Sequence, residues 1–127
     1  MKYVLWVVLR VAILAAAGSS LVNVAYADQD CFGGGYIKAV ATNYWAFDWN
    51  GVVGIQVLHD DGLTRNYSTL GFGDLDSVRV RALLQEATAA FIAQSHVWVQ
   101  VTGSCTDSQR LGDSRNWIRN WSGLWMQ

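Results

Sequence analysis

The chain has 127 residues, with 9 basic and 10 acidic side chains and a formal charge of −1. Arg65, Arg79, Arg81, Arg110, Arg115 and Arg119 are scattered among acids, which weighs against the basic patch of a nucleic-acid binder and against attraction to anionic lipid. Proline is absent, and 12 glycines mark the breaks instead.

Residues 1–27 read as a secretory signal. Lys2 gives a positive start, an apolar run broken only by Arg10 follows, and Ala25-Tyr26-Ala27 supplies the small residues a signal peptidase accepts. The expected cut lies between Ala27 and Asp28. A retained anchor is the alternative, but Arg10, Gly18-Ser19-Ser20 and Asn23 weaken a span that needs about 20 apolar residues. Residues 28–127 then form one small secreted or periplasmic domain, without membrane insertion after signal removal. Without Lys2 and Arg10, seven basic side chains face ten acidic ones, a net charge of −3.

Cys31 and Cys105 are the only cysteines. An even count in an exported chain predicts a disulfide between them. The closed loop of about 74 residues would contribute roughly 4 kcal/mol in the chain-entropy model. A catalytic thiol or a metal site is the competing use. No CxxC occurs, and His59 and His96 are single residues in unrelated segments, so no metal or cofactor is expected.

Gly33-Gly34-Gly35 opens a first predicted strand, about 36–44, and Val52 to His59 is the second. Asp60-Asp61-Gly62 is a turn signal, followed by a third strand over about 65–70. Val80, Leu83, Leu84, Ala87 and Phe91 then fall on one face of a helix over about 77–93, with Asp74 or Asp76 available as its cap. Val78 and Ile92 lie off that stripe, as exposed residues or contacts to another subunit. Val97, Val99 and Val101 alternate with Trp98 and Gln100 in a half-buried strand. Residues 116–126 read as a last strand, although Trp117, Trp121 and Trp125 at steps of four also suit a helix.

Three strands, a helix and two strands is the order of an OB-fold, a mainly β, five-stranded barrel. Cys31-Phe32-Gly33 through Gly35-Tyr36-Ile37, the strand Val53 to Val57, the helix segment Leu83-Leu84-Gln85-Glu86-Ala87, and Val97 to Val101 ending at Gly103-Ser104-Cys105 resemble small exported bacterial proteins. These are similar to the B subunits of subtilase-type and pertussis-like toxins, over about 31–105. The resemblance implies an OB barrel, a homo-oligomeric ring of five, a toxic A subunit as partner, and recognition of host-cell glycans. It carries over no sugar-contacting residue.

The residues themselves point to a binding surface. Six tryptophans, Trp45, Trp49, Trp98, Trp117, Trp121 and Trp125, are more than a barrel of this size buries. Tyr44 to Gly51 connects the first two strands and joins aromatic platforms to a carboxylate and an amide. Trp45, Asp48, Trp49 and Asn50 are the candidate ligand contacts: rings for the C–H face of a sugar, Asp and Asn for its hydroxyls. Rings packed back on the barrel are the competing account. Trp98 is expected outward, on a helix, a subunit or a ligand. An enzyme is not expected, since His59-Asp60-Asp61-Gly62 reads as a hairpin end and no GxSxG signature occurs. Two functions follow: a glycan-binding module, or a protein-interaction or structural protein on the same barrel.

Overall fold

A computed structural model describes residues 28–127. The predicted signal and its cut fall on residues 1–27, outside the described residues. The domain is mainly β with a single α-helix, and its seven-stranded sheet runs β5-β6-β3-β2-β1-β4-β7.

β1 (Asp28–Thr42) starts eight residues before the expected Tyr36. It continues through the glycines because the register shifts between Asp30 and Gly34, where Phe32 and Gly33 take left-handed φ of 62° and 74°. That kink turns Cys31 into the core, where it forms the predicted disulfide with Cys105 at a Cα–Cα distance of 5.6 Å. β1 pairs antiparallel with both β2 (Val53–His59) and β4 (His96–Thr102). β3 (Thr64–Ser68) lies antiparallel to β2.

Helix α1 (Val78–Ala93) follows. Neither Asp74 nor Asp76 caps it. Ser77 occupies the N-cap without a side-chain bond, while the Asp74 carboxylate accepts the Asp76 N–H at 2.9 Å. The buried line is Val80, Leu83, Ala87 and Ala90. Ala90 replaces the expected Phe91, which is exposed, because steps of three, four and three keep the helix on one bearing over the sheet.

The last segment is not one strand. β6 (Asn116–Ile118) and β7 (Trp121–Met126) are separated by Arg119 and by Asn120, whose φ is 62°. β6 runs parallel to β3, whereas β7 runs antiparallel to β4. A short β5 (Ser108–Arg110) flanks β6. β6 and β7 lie near opposite ends of the strand order, yet two residues join them. The sheet must therefore coil until its ends approach. Asn120 fastens that junction, donating its N–H to Leu70 O at 2.8 Å and accepting from Thr102 N–H at 2.9 Å. The sheet is nevertheless not a closed ladder, and it has seven strands where five were expected.

The core lies inside this coil. Val53, Ile55 and Val57 face Val97, Val99 and Val101, with Ile37, Tyr67, Trp121 and the buried line of α1. Each fully buried valine contributes roughly 1.5–3 kcal/mol of gross burial. A smaller cluster of Phe47, Val52 and Trp117 forms beside it.

Candidate functional site

The loop between β1 and β2 is held at both ends. Gly51 O accepts from Leu75 N–H at 2.9 Å, while Val53 N–H donates to Thr69 Oγ1 at 3.0 Å and Val53 O accepts from Thr69 N–H at 2.9 Å. Within it, Trp45–Phe47 make one 3-10 turn, and Asp48 and Trp49 follow with φ of 56° and 57°. Two left-handed non-glycine residues in succession are uncommon and costly, on the order of 1–2 kcal/mol per residue.

This backbone sorts the aromatic side chains. Phe47 turns inward and meets the Trp117 ring edge-on, with centroids 4.8 Å apart. Gly54 lies beneath both, and a Cβ there would sit 2.7 Å from each ring. Tyr44 packs edge-on against Trp45 and Phe47, each at 5.6 Å. Trp45 is 48% exposed and rests over Gly112. Trp49 is 64% exposed and meets no aromatic ring among the described residues. Asp48 and Asn50 are exposed as well. The four candidate contacts thus share one anchored loop, while Phe47 of the same loop and Tyr67 of β3 belong to the interior.

A second loop, missed in the sequence, underlies this one. Leu111 to Arg115 forms a turn in which Asp113 Oδ1 accepts from Arg115 N–H at 3.0 Å and from Trp117 Nε1 at 3.2 Å. Asp113 Oδ2 is buried with no protein partner. Beside Arg115 and Trp117 opens a cleft of about 450 Å³, lined also by Ala39, Ala41, Tyr44 and Gly54. The register shift between Ile37 and Ala39 and the small lining residues leave this space. An Asp-Ser pair in a polar loop gave no signal beyond a turn.

Trp98 points away from the valine core, as expected, and packs in a row of rings. Tyr36 and His96 are 5.2 Å apart, His96 and Trp98 4.5 Å, and Trp98 and Trp125 5.7 Å. His96 Nε2 lies 2.8 Å from the Asp60 carboxylate. The tryptophans at steps of four do not share a face: Trp117 and Trp121 are buried, whereas Trp125 is 59% exposed.

His59 is not a free base. It is buried, with Nε2 accepting from Tyr67 OH at 2.8 Å and Nδ1 donating to Gly33 O at 3.2 Å. Burial pushes the histidine pKa below its ordinary value, and burial pushes the Tyr67 phenol up. Bidentate contact from Arg65 and the Leu63 N–H hold the Asp61 carboxyl below the usual carboxylate range. Among the described residues no helix is long and apolar enough to cross a membrane, and no three metal-ligating side chains come together. Compared with protein-family models, curated proteins and solved structures, the chain matches none.

Proposed function

We propose that this chain is an exported, non-catalytic binding module, similar to a toxin B subunit, that recognises host-cell glycans through Trp45, Asp48, Trp49 and Asn50. One observation carries this. Trp49 is held in solvent on a left-handed backbone, in a loop anchored at both ends. A fold tolerates such a conformation where surrounding structure imposes it, often at ligand-binding segments. An exposed indole beside an acid and an amide offers what a pyranose needs, a flat apolar face and hydrogen-bond acceptors and donors.

The strand pairing supports an OB-like origin for the sheet. If β6 and β7 are taken as one broken strand, β1 pairs with β2 and β4, the fifth strand pairs with β3 and β4, and α1 falls between the third and fourth. A glycan array probed with the purified protein is the direct test. Trp49→Ala should weaken a captured glycan by about 30-fold, a hot-spot loss of about 2 kcal/mol, with the fold intact. Unchanged binding by this variant would place the site away from Trp49, and an array without a hit would remove the sugar.

The protein-interaction alternative has its own observation: Val78 and Ile92 of α1 are 72% and 77% exposed. Homo-oligomerisation into a ring, with an A subunit as further partner, belongs to the glycan-binding proposal. Sedimentation at micromolar concentration should show a species several times the monomer mass. A monomer throughout the accessible range would refute the ring.

A further inference from the structure

β7 ends the strand order, so one of its edges has no neighbouring strand. The hydrogen-bond alternation fixes which groups face that edge. Gln127 N–H donates to His96 O at 3.0 Å, beyond the register Val97↔Met126, Trp98↔Trp125 and Val99↔Leu124. Antiparallel partners alternate between pairs that exchange bonds and pairs that do not. His96 with Gln127 and Trp98 with Trp125 are therefore exchanging pairs. The N–H and C=O groups of Leu124 and Met126 point away from β4. Their two-residue spacing, about 7 Å, is the repeat an added strand would match.

Apart from the bulge at Ser122, this edge carries no side-chain protection. Trp121–Met126 contains no lysine, glutamate or proline, the residues that commonly discourage strand addition. A groove of about 320 Å³ runs between it and α1, lined by Ala82 and Leu83 of the helix and Ser122 to Leu124 of the strand. Arg79 and Glu86 stand on its helical rim; neither forms an ion pair among the described residues, and the Arg79 guanidinium lies over the Phe72 ring, 4.8 Å from its centroid. Seven helical residues separate them by about 10 Å, the span of roughly three strand residues. The rim thus offers one positive and one negative point to an added strand.

We infer that the β7–α1 groove binds an extended peptide segment of a partner protein, added as an eighth strand against Leu124 and Met126. The segment has an apolar, β-branched centre, an acidic residue facing Arg79 and a basic residue facing Glu86 about three positions away. Main-chain pairing supplies the affinity, and the two charges set the direction. No residue of this groove belongs to the Trp45–Asn50 loop, so the site stands or falls independently of sugar binding.

The probe is a blocked octapeptide of alternating valine and threonine carrying one aspartate and one lysine three residues apart. Amide hydrogen exchange on the purified protein reads the contact. Saturating peptide should slow exchange at Leu124 and Met126 at least about tenfold, leaving Trp49 unchanged. A peptide N-methylated on the pairing side should bind at least about tenfold more weakly, as should Met126→Pro, which removes one outward N–H from an exposed position. Arg79→Glu should also weaken the probe, with the far-ultraviolet circular dichroism spectrum preserved. Unprotected Leu124 and Met126 amides, or equal binding of the N-methylated peptide, would overturn the inference. Concentration-dependent protection of the same amides in the protein alone would overturn it too, since the occupant would then be a second copy.

Discussion

His59 lies in the interior with both ring nitrogens bonded, one by the Tyr67 hydroxyl and one to Gly33 O. The arrangement accommodates the neutral ring, because Gly33 O can only accept, which fixes the proton on Nδ1 and leaves Nε2 to accept from the Tyr67 hydroxyl. Burial adds to this and lowers the folded-state pKa below 6.5, the ordinary histidine value. The unfolded chain therefore binds more protons in the window just below that value. Stability contributed by the neutral ring is complete above about pH 6.5 and falls as pH drops toward the lowered folded value. The unfolding midpoint should thus decrease between pH 7.5 and pH 5, and His59→Gln should flatten that dependence. An equally steep dependence in His59→Gln would place the titrating group elsewhere. At this scale the sequence could name Trp45, Asp48, Trp49 and Asn50 from residue chemistry alone. What turns Phe47 inward and leaves Trp49 outside is a 3-10 turn followed by two left-handed residues, a backbone path that residue chemistry does not show.

Steps of four along a strand place side chains on one face only while the pleat is unbroken. Trp117, Trp121 and Trp125 meet two interruptions. Left-handed Asn120 separates Trp117 in the smaller cluster from Trp121 in the main core. The register shift opposite Gln100 and Val101 then leaves Ser122 as the extra residue, so Trp125 emerges on the other face. Neither break has a glycine or proline at the turning residue, which is why periodicity missed both. The valine strands and the helix were legible because their periods are long and uninterrupted. β5, three exposed polar residues, has no period to find. The smaller cluster yields an element-level prediction. In β2, Gly54 leaves room for the Phe47 and Trp117 rings, and a methyl group there would lie 2.7 Å from each. Gly54→Ala should cost about 1–3 kcal/mol as overpacking and shift tryptophan fluorescence as Trp117 is displaced. A stable variant with unchanged emission would mean that the Phe47–Trp117 packing does not hold the Tyr44–Gly51 loop, leaving its hydrogen bonds at Gly51 and Val53 as the anchors.

For the whole molecule, the question is what keeps a coiled but unclosed sheet together. The first residues of β1 have only one neighbour: Asp28, Gln29 and Asp30 pair with β4, whereas pairing with β2 starts at Gly35. Such an arm has little local reason to stay, apart from bonds such as Thr102 Oγ1 to Asp28 Oδ1 at 2.7 Å. The Cys31–Cys105 disulfide sits where the arm meets the kink, and it joins residues 74 apart in sequence. In a small domain with a modest core, that loop closure is a large share of the stability. Restricting the unfolded chain should contribute roughly 4 kcal/mol, and the same bond pins the arm in the folded state. Two readouts separate these effects. The double variant Cys31→Ala with Cys105→Ala should lower the urea midpoint by roughly 2 M, as expected from a denaturant slope of about 2 kcal/mol per M. Amides of Asp28 to Asp30 should lose exchange protection well below that midpoint, because the arm opens before the coil does. An unchanged midpoint would show that the core alone sustains the sheet. Arm amides that unfold only with the rest would show that β4 holds the arm unaided, leaving the crosslink to act through the unfolded chain.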